Sequence, residues 1–130
     1  GTGHGVGYLG NIHEPPATIN WRIRPGNTRV LQKNMVITDE PGIYETDKIG
    51  IRIENELLCK EAMETEYGKF CCFEPITYCP IDKKAIDPKK LSPAELSWLN
   101  EYHATVYETL APQLTDSEKA WLKNACAPLA

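Results

Sequence analysis

Ile49-Gly50-Ile51-Arg52-Ile53-Glu54-Asn55-Glu56-Leu57-Leu58 alternates apolar and polar residues, the period-two pattern of a strand with one buried face. In that register Arg52 and Glu54 share a face. Met35-Val36-Ile37-Thr38 reads as a preceding strand ended by Pro41-Gly42, with Ile43-Tyr44 continuing it past a short break. Phe70 to Tyr78 is a third strand, rich in aromatic, β-branched and Cys residues, and Pro75 marks it as an edge or a bend. Residues 1–29 read as irregular structure: glycines fall at positions 1, 3, 5, 7 and 10, and Pro15-Pro16 and Pro25-Gly26 punctuate the segment.

The last third changes period. Ser92-Pro93-Ala94-Glu95 is a capping-box pattern with Pro at the first helical position. Leu96, Leu99, His103, Val106 and Leu110 follow at helical spacing, which predicts a helix to about Leu110, ended by Pro112. Thr115-Asp116-Ser117-Glu118 opens a shorter helix carrying Trp121 and Leu122. Sheet first and two terminal helices after it make an α+β chain.

The 130 residues suffice for one domain with a real core, and 42% hydrophobic and 25% charged residues are ordinary globular values. A formal charge of −4 argues against a nucleic-acid or anionic-membrane partner. No apolar run approaches the roughly 20 residues of a membrane span, and no signal-peptide pattern opens the chain. Cys59, Cys71, Cys72, Cys79 and Cys126 are odd in number and form no CxxC pair. They are expected to be free thiols in a reducing, cytoplasmic compartment.

Three residues invite metal chemistry. His4 sits among glycines that let a ligand approach, Glu40 follows an apolar run at a strand end, and Glu54 lies within the alternating segment. Singly, each reads as a solvated side chain. Together they form a hard nitrogen and oxygen ligand set suited to Mn, Co or Zn. His13 is either a turn histidine or a hydrogen-bond donor to substrate, and Arg52 is positioned to orient Glu54. His103 is expected to pack or cap locally. Neither a GxSxG elbow nor a P-loop is present, and the glycine run lacks the preceding strand of a dinucleotide fingerprint.

These motifs, Gly1-Thr2-Gly3-His4-Gly5-Val6-Gly7 with Asn11-Ile12-His13-Glu14, Thr38-Asp39-Glu40-Pro41-Gly42-Ile43-Tyr44 and Gly50-Ile51-Arg52-Ile53-Glu54-Asn55, resemble the metal-binding half of a pita-bread metallopeptidase. Phe73-Glu74-Pro75-Ile76-Thr77, Ile86-Asp87 and Trp98-Leu99-Asn100-Glu101-Tyr102-His103 are similar to the tail of its eukaryotic Xaa-Pro aminopeptidase branch. The resemblance implies the C-terminal half of a pita-bread fold, a curved antiparallel sheet with flanking helices. Residues 1–79 would form the metal-site sheet and loops, and 80–130 a helical C-terminal extension. Residues 15–29 and 60–69 match poorly and are expected to be variable loops.

It further implies a site for two divalent metals, usually manganese, with His4 and Glu40 on one ion and Glu54 bridging both. Asp39 is not among the ligands. His13, Tyr44 and Arg52 match residues that support the reaction or contact substrate. The substrates implied are peptides with proline second, hydrolysed at the first bond by a metal-activated hydroxide, in a homodimeric enzyme. Two ligand aspartates, a histidine and N-terminal domains of the family are expected upstream of Gly1. The chain by itself is therefore expected to be metal-poor and inactive, and to self-associate or retain the missing half of its domain. The alternative readings are a prolidase-like or methionine aminopeptidase-like enzyme of the same fold, or a non-catalytic peptide- or histone-binding module, against which the retention of His4, Glu40 and Glu54 weighs.

Overall fold

The computed structural model describes residues 1–22 and 30–130; the Pro25-Gly26 loop lies outside the described residues. The chain divides into two compact units, Gly1–Thr77 and Tyr78–Ala130. The first is a wholly antiparallel β structure. Its strands are β1 (Gly3–Val6), β2 (Glu14–Ile19), β3 (Val36–Asp39), β4 (Gly42–Glu45), β5 (Ile49–Arg52), β6 (Asn55–Thr65) and β7 (Gly68–Pro75). Five form one sheet in the order β2-β1-β3-β6-β7, and β4 and β5 form a separate two-stranded sheet.

Residues 1–29 are thus not irregular in their described part: they supply two strands. The glycines act there through close approach rather than flexibility. A Cβ on Gly3 would sit 2.2 Å from the Thr38 carbonyl oxygen, and one on Gly5 would sit 2.2 Å from that of Glu14. β1 is therefore wedged between β2 and β3 at a separation only glycine permits, with its backbone paired on both sides. Pro15 and Pro16 are tolerated because β2 is an edge strand and needs no donor on its free side.

The alternating segment from Ile49 to Leu58 is also two strands, not one. Pairing stops at Ile53 and Glu54, and the backbone changes partner, from β4 before the break to β3 and β7 after it. Likewise Ile43-Tyr44 does not extend β3 but pairs with β5, Ile43 opposite Ile51 and Tyr44 opposite Gly50. Residues 60–69, expected as a loop, carry β6 onward to Thr65, turn, and return as β7. Both faces of this arm meet solvent, so no alternation marks it. The edge position read from Pro75 holds, since β7 closes the sheet. Ile37 and Cys59 are fully buried, with Thr38 and Ala17 nearly so.

In the second unit α1 (Pro93–Leu110) begins at the Ser92–Glu95 capping box and α2 (Asp116–Ala125) at a Thr115–Glu118 box. Tyr102, Val106, Leu122 and Cys126 form its core, flanked by Ile81, Tyr107, Leu110 and Leu114. His103 is fully buried, and its Nε2 accepts the Ile81 N–H at 3.1 Å, which is the local packing role expected of it. Among the described residues no helix is long and apolar enough to cross a membrane.

Candidate metal centre

His4 stands in the middle of β1, opposite Thr18 on β2. Its Nδ1 lies 3.0 Å from the Gly5 carbonyl oxygen. A carbonyl can only accept, so this contact places a proton on Nδ1, and in the neutral ring the Nε2 lone pair is then free. Nε2 is 3.2 Å from Oε1 of Glu40, which follows the end of β3. Glu54 occupies the break between β5 and β6, and ligand atoms of His4, Glu40 and Glu54 all lie within 4.8 Å of one another. The five-stranded sheet thus delivers one side chain, and the two ends of the β4–β5 sheet deliver the others.

The three fit a divalent cation on their own chemistry. A lone pair on His4 Nε2 and a carboxylate oxygen on Glu40 face each other, and two acceptors at that distance repel unless a cation or a proton lies between them. One imidazole nitrogen and two carboxylates form the hard donor set that first-row divalent metals take.

Thr38 organises the pair, and sequence reading passed over it. Its hydroxyl accepts the His4 backbone N–H at 3.0 Å and donates to Glu40 Oε1 at 3.0 Å, while the residue is only 3% exposed. The signal available in the sequence was its position two residues before Glu40, directly after the apolar pair Val36-Ile37. A backbone bond of 2.7 Å from the Glu40 N–H to the Thr2 carbonyl fixes the carboxylate's root. Asp39 ends β3 exposed to solvent.

The other predicted residues fall into two groups. His13 packs edge-on against His4, with ring centroids 4.5 Å apart. Both line a cavity of about 500 Å³ with Glu40, Pro15, Pro16 and Thr18. Arg52, at the end of β5, donates from Nε to Glu54 Oε2 at 2.9 Å. The neighbouring Tyr44 on β4, followed by the charge of Glu54, raises the Arg52 pKa above its already high ordinary value. Tyr44, Arg52 and Glu54 therefore form a chain, and the last member turns toward His4 and Glu40.

Two family models together cover most of the chain. Residues 1–61 match the metallopeptidase family M24, and residues 69–129 match the C-terminal region of peptidase_M24. Across its whole length the chain is 44% identical to aminopeptidase P2 of Arabidopsis thaliana, covering 19% of that protein. It is 41% identical to a probable Xaa-Pro aminopeptidase P of Coprinopsis cinerea, over 99% of this chain and 21% of the relative. Its structure matches that of the X-prolyl aminopeptidase of Caenorhabditis elegans, described as a cytosolic enzyme with a di-nuclear active site. The TM-score is 0.82 at 39% identity, over 99% of this chain and 21% of the other. The chain thus spans about a fifth of the length of these relatives. The fold is that of the C-terminal region of the pita-bread aminopeptidases. By both halves of its sequence, this chain belongs to metallopeptidase family M24.

Proposed function

We propose that the chain supplies His4, Glu40 and Glu54 to the dinuclear metal site of an Xaa-Pro aminopeptidase, within a longer polypeptide of the kind its relatives possess. The observation that carries this reading is the convergence of those three ligand atoms within 4.8 Å, and the di-nuclear site of the C. elegans neighbour supports the second ion. Manganese is the proposed metal, with cobalt or zinc suited to the same donors. Bound divalent metals supply an acidified water and charge stabilisation for the oxyanion of amide hydrolysis.

The chain's own residues have distinct tasks. Nδ1 of His4, held by the Gly5 carbonyl, keeps Nε2 aimed outward as a ligand. Glu40 is held by Thr38, and Glu54 by the Arg52 guanidinium. Arg52 in turn is braced by Tyr44. His13, beside His4 at the cavity wall, donates a hydrogen bond to the scissile carbonyl as negative charge develops on it. The substrates proposed are peptides with proline at the second position, in keeping with the names of the relatives. Residues 1–79 serve as the metal-site part and 80–130 as a helical extension. A homodimeric, cytoplasmic enzyme completes the proposal, and the cytosolic neighbour supports the compartment.

The test is a chimera in which residues 1–130 replace the aligned segment of the Arabidopsis aminopeptidase P2. It should release the first residue of an Arg-Pro-Pro peptide in a manganese-dependent manner, and Glu54→Gln should reduce turnover by at least about a hundredfold. A folded chimera that binds the peptide equally well with and without Glu54→Gln, and never cleaves it, would sink the enzyme reading in favour of a binding module.

A further inference from the structure

The β6–β7 ladder brings together thiols that the metal centre does not use. Cys59 lies directly opposite Phe73, so Cys71, two residues before Phe73, faces the same side of the ladder on the adjoining diagonal. The Cys59 N–H donates to Met35, and its carbonyl accepts from Asn34. Both backbone groups therefore point toward β3, and the site facing β7 is a non-hydrogen-bonded one, where side chains approach most closely. Cys59 is fully buried, Cys71 is exposed, and both are reduced. Burial first, and then the neighbouring Cys71 thiol, raise the Cys59 pKa above its ordinary value. Cys72 faces the opposite side, opposite Lys60, which pairs with Glu74.

We propose that Cys59 and Cys71 form a dithiol redox site that closes reversibly into a cross-strand disulfide on meeting a small disulfide oxidant such as oxidised glutathione. The exposed Cys71 thiolate attacks one oxidant sulfur, breaks its S–S bond and releases one glutathione as thiolate. Cys59 then loses its proton to solvent, and its thiolate attacks the Cys71 sulfur, displacing the second glutathione. Two protein thiols are oxidised by two electrons, and one oxidant is reduced to two thiols. Burial pushes the Cys59 thiol above its ordinary pKa, which assigns the first attack to Cys71 and the resolving step to Cys59.

The geometry also sets the character of the bond. Diagonal neighbours stand about 7–8 Å apart, beyond the roughly 4.4–6.8 Å between Cα atoms in disulfides. Closure must draw the strands together, next to the register shift between Glu61 and Met63. A bond made under that constraint is readily reduced, as regulatory disulfides are.

The test exposes the reduced 130-residue chain to oxidised glutathione, blocks remaining thiols by alkylation and maps peptides by mass. The expected product is a Cys59–Cys71 crosslink lighter by two hydrogens, undone by dithiothreitol and unaffected by Cys72→Ser. Cys59→Ser should trap glutathione on Cys71, and Cys71→Ser should leave Cys59 unmodified. The wild-type map decides the matter even where Cys59→Ser fails to fold. A persistent adduct on wild-type Cys71, a Cys71–Cys72 bond or disulfides only between molecules would each overturn the proposal.

Discussion

Thr38 shows how much one hydroxyl can organise. It accepts from the backbone of one proposed ligand and donates to the side chain of another, and is itself buried. Thr38→Val keeps the shape and removes both bonds. Leaving the His4 N–H unpartnered should destabilise the sheet by roughly 1–3 kcal/mol, measurable by urea unfolding. In the aminopeptidase chimera it should also weaken manganese binding by about 10–100-fold, as loss of supporting hydrogen bonds does. Thr38→Ser should recover most of both. Equal affinity in wild type and Thr38→Val would remove Thr38 from the site while leaving the three ligands in question untouched.

His103 makes the second residue-scale case. Burial, then the charge of Lys83, lower its pKa below the ordinary value. The folded state therefore resists a proton that the unfolded chain accepts below about pH 6.5. The sign follows: stability from neutral His103 is complete above that value and is lost as pH falls through it toward the lower folded pKa. Urea unfolding of the helical unit between pH 7.5 and 5.5 should show this decline, and His103→Gln should flatten it. Glu95 and Glu118, lowered by their Ser92 and Thr115 caps, respond only in a more acidic range.

At the scale of elements, the β4–β5 sheet stands out, because all eight of its residues are exposed. An isolated two-stranded sheet is marginal in water, and Ile43 and Ile51 sit directly opposite each other at 70% and 42% exposure. The 130-residue chain is accordingly expected to self-associate, as sedimentation equilibrium can measure. The pair Ile43→Lys with Ile51→Glu keeps a favourable cross-strand contact while removing apolar surface, and should shift the chain toward monomer. Association unchanged by that pair would place the contact on another surface. The helices were the most legible elements, since capping boxes and a 3.6-residue period are local signals. The break at Ile53–Glu54 was not legible, because alternation reports which way side chains face and says nothing of the strand that receives the backbone's hydrogen bonds. β1 was hidden for a related reason: glycine at positions 3 and 5 serves a neighbour's backbone, which no single-chain pattern displays.

For the molecule as a whole, the candidate site was readable where its residues carry chemistry and unreadable where they only position it. His4, Glu40 and Glu54 are conspicuous as ionisable groups in apolar or glycine-rich settings, whereas Thr38 looks like any β-branched strand residue. The placement of Glu40 and Glu54 has a mechanical consequence. They stand on either side of the β4–β5 sheet, one just before Gly42 and one just after Arg52, and a single bond from the Ile53 N–H to the Pro41 carbonyl spans the same neck at 3.4 Å. A cation gripping both carboxylates would act as a clasp on a purse, closing the loop at its mouth and restricting the freedom of everything beyond it. Manganese would then protect the Gly42–Arg52 segment from limited proteolysis, and a chelator would make that segment the first place the chain is cut.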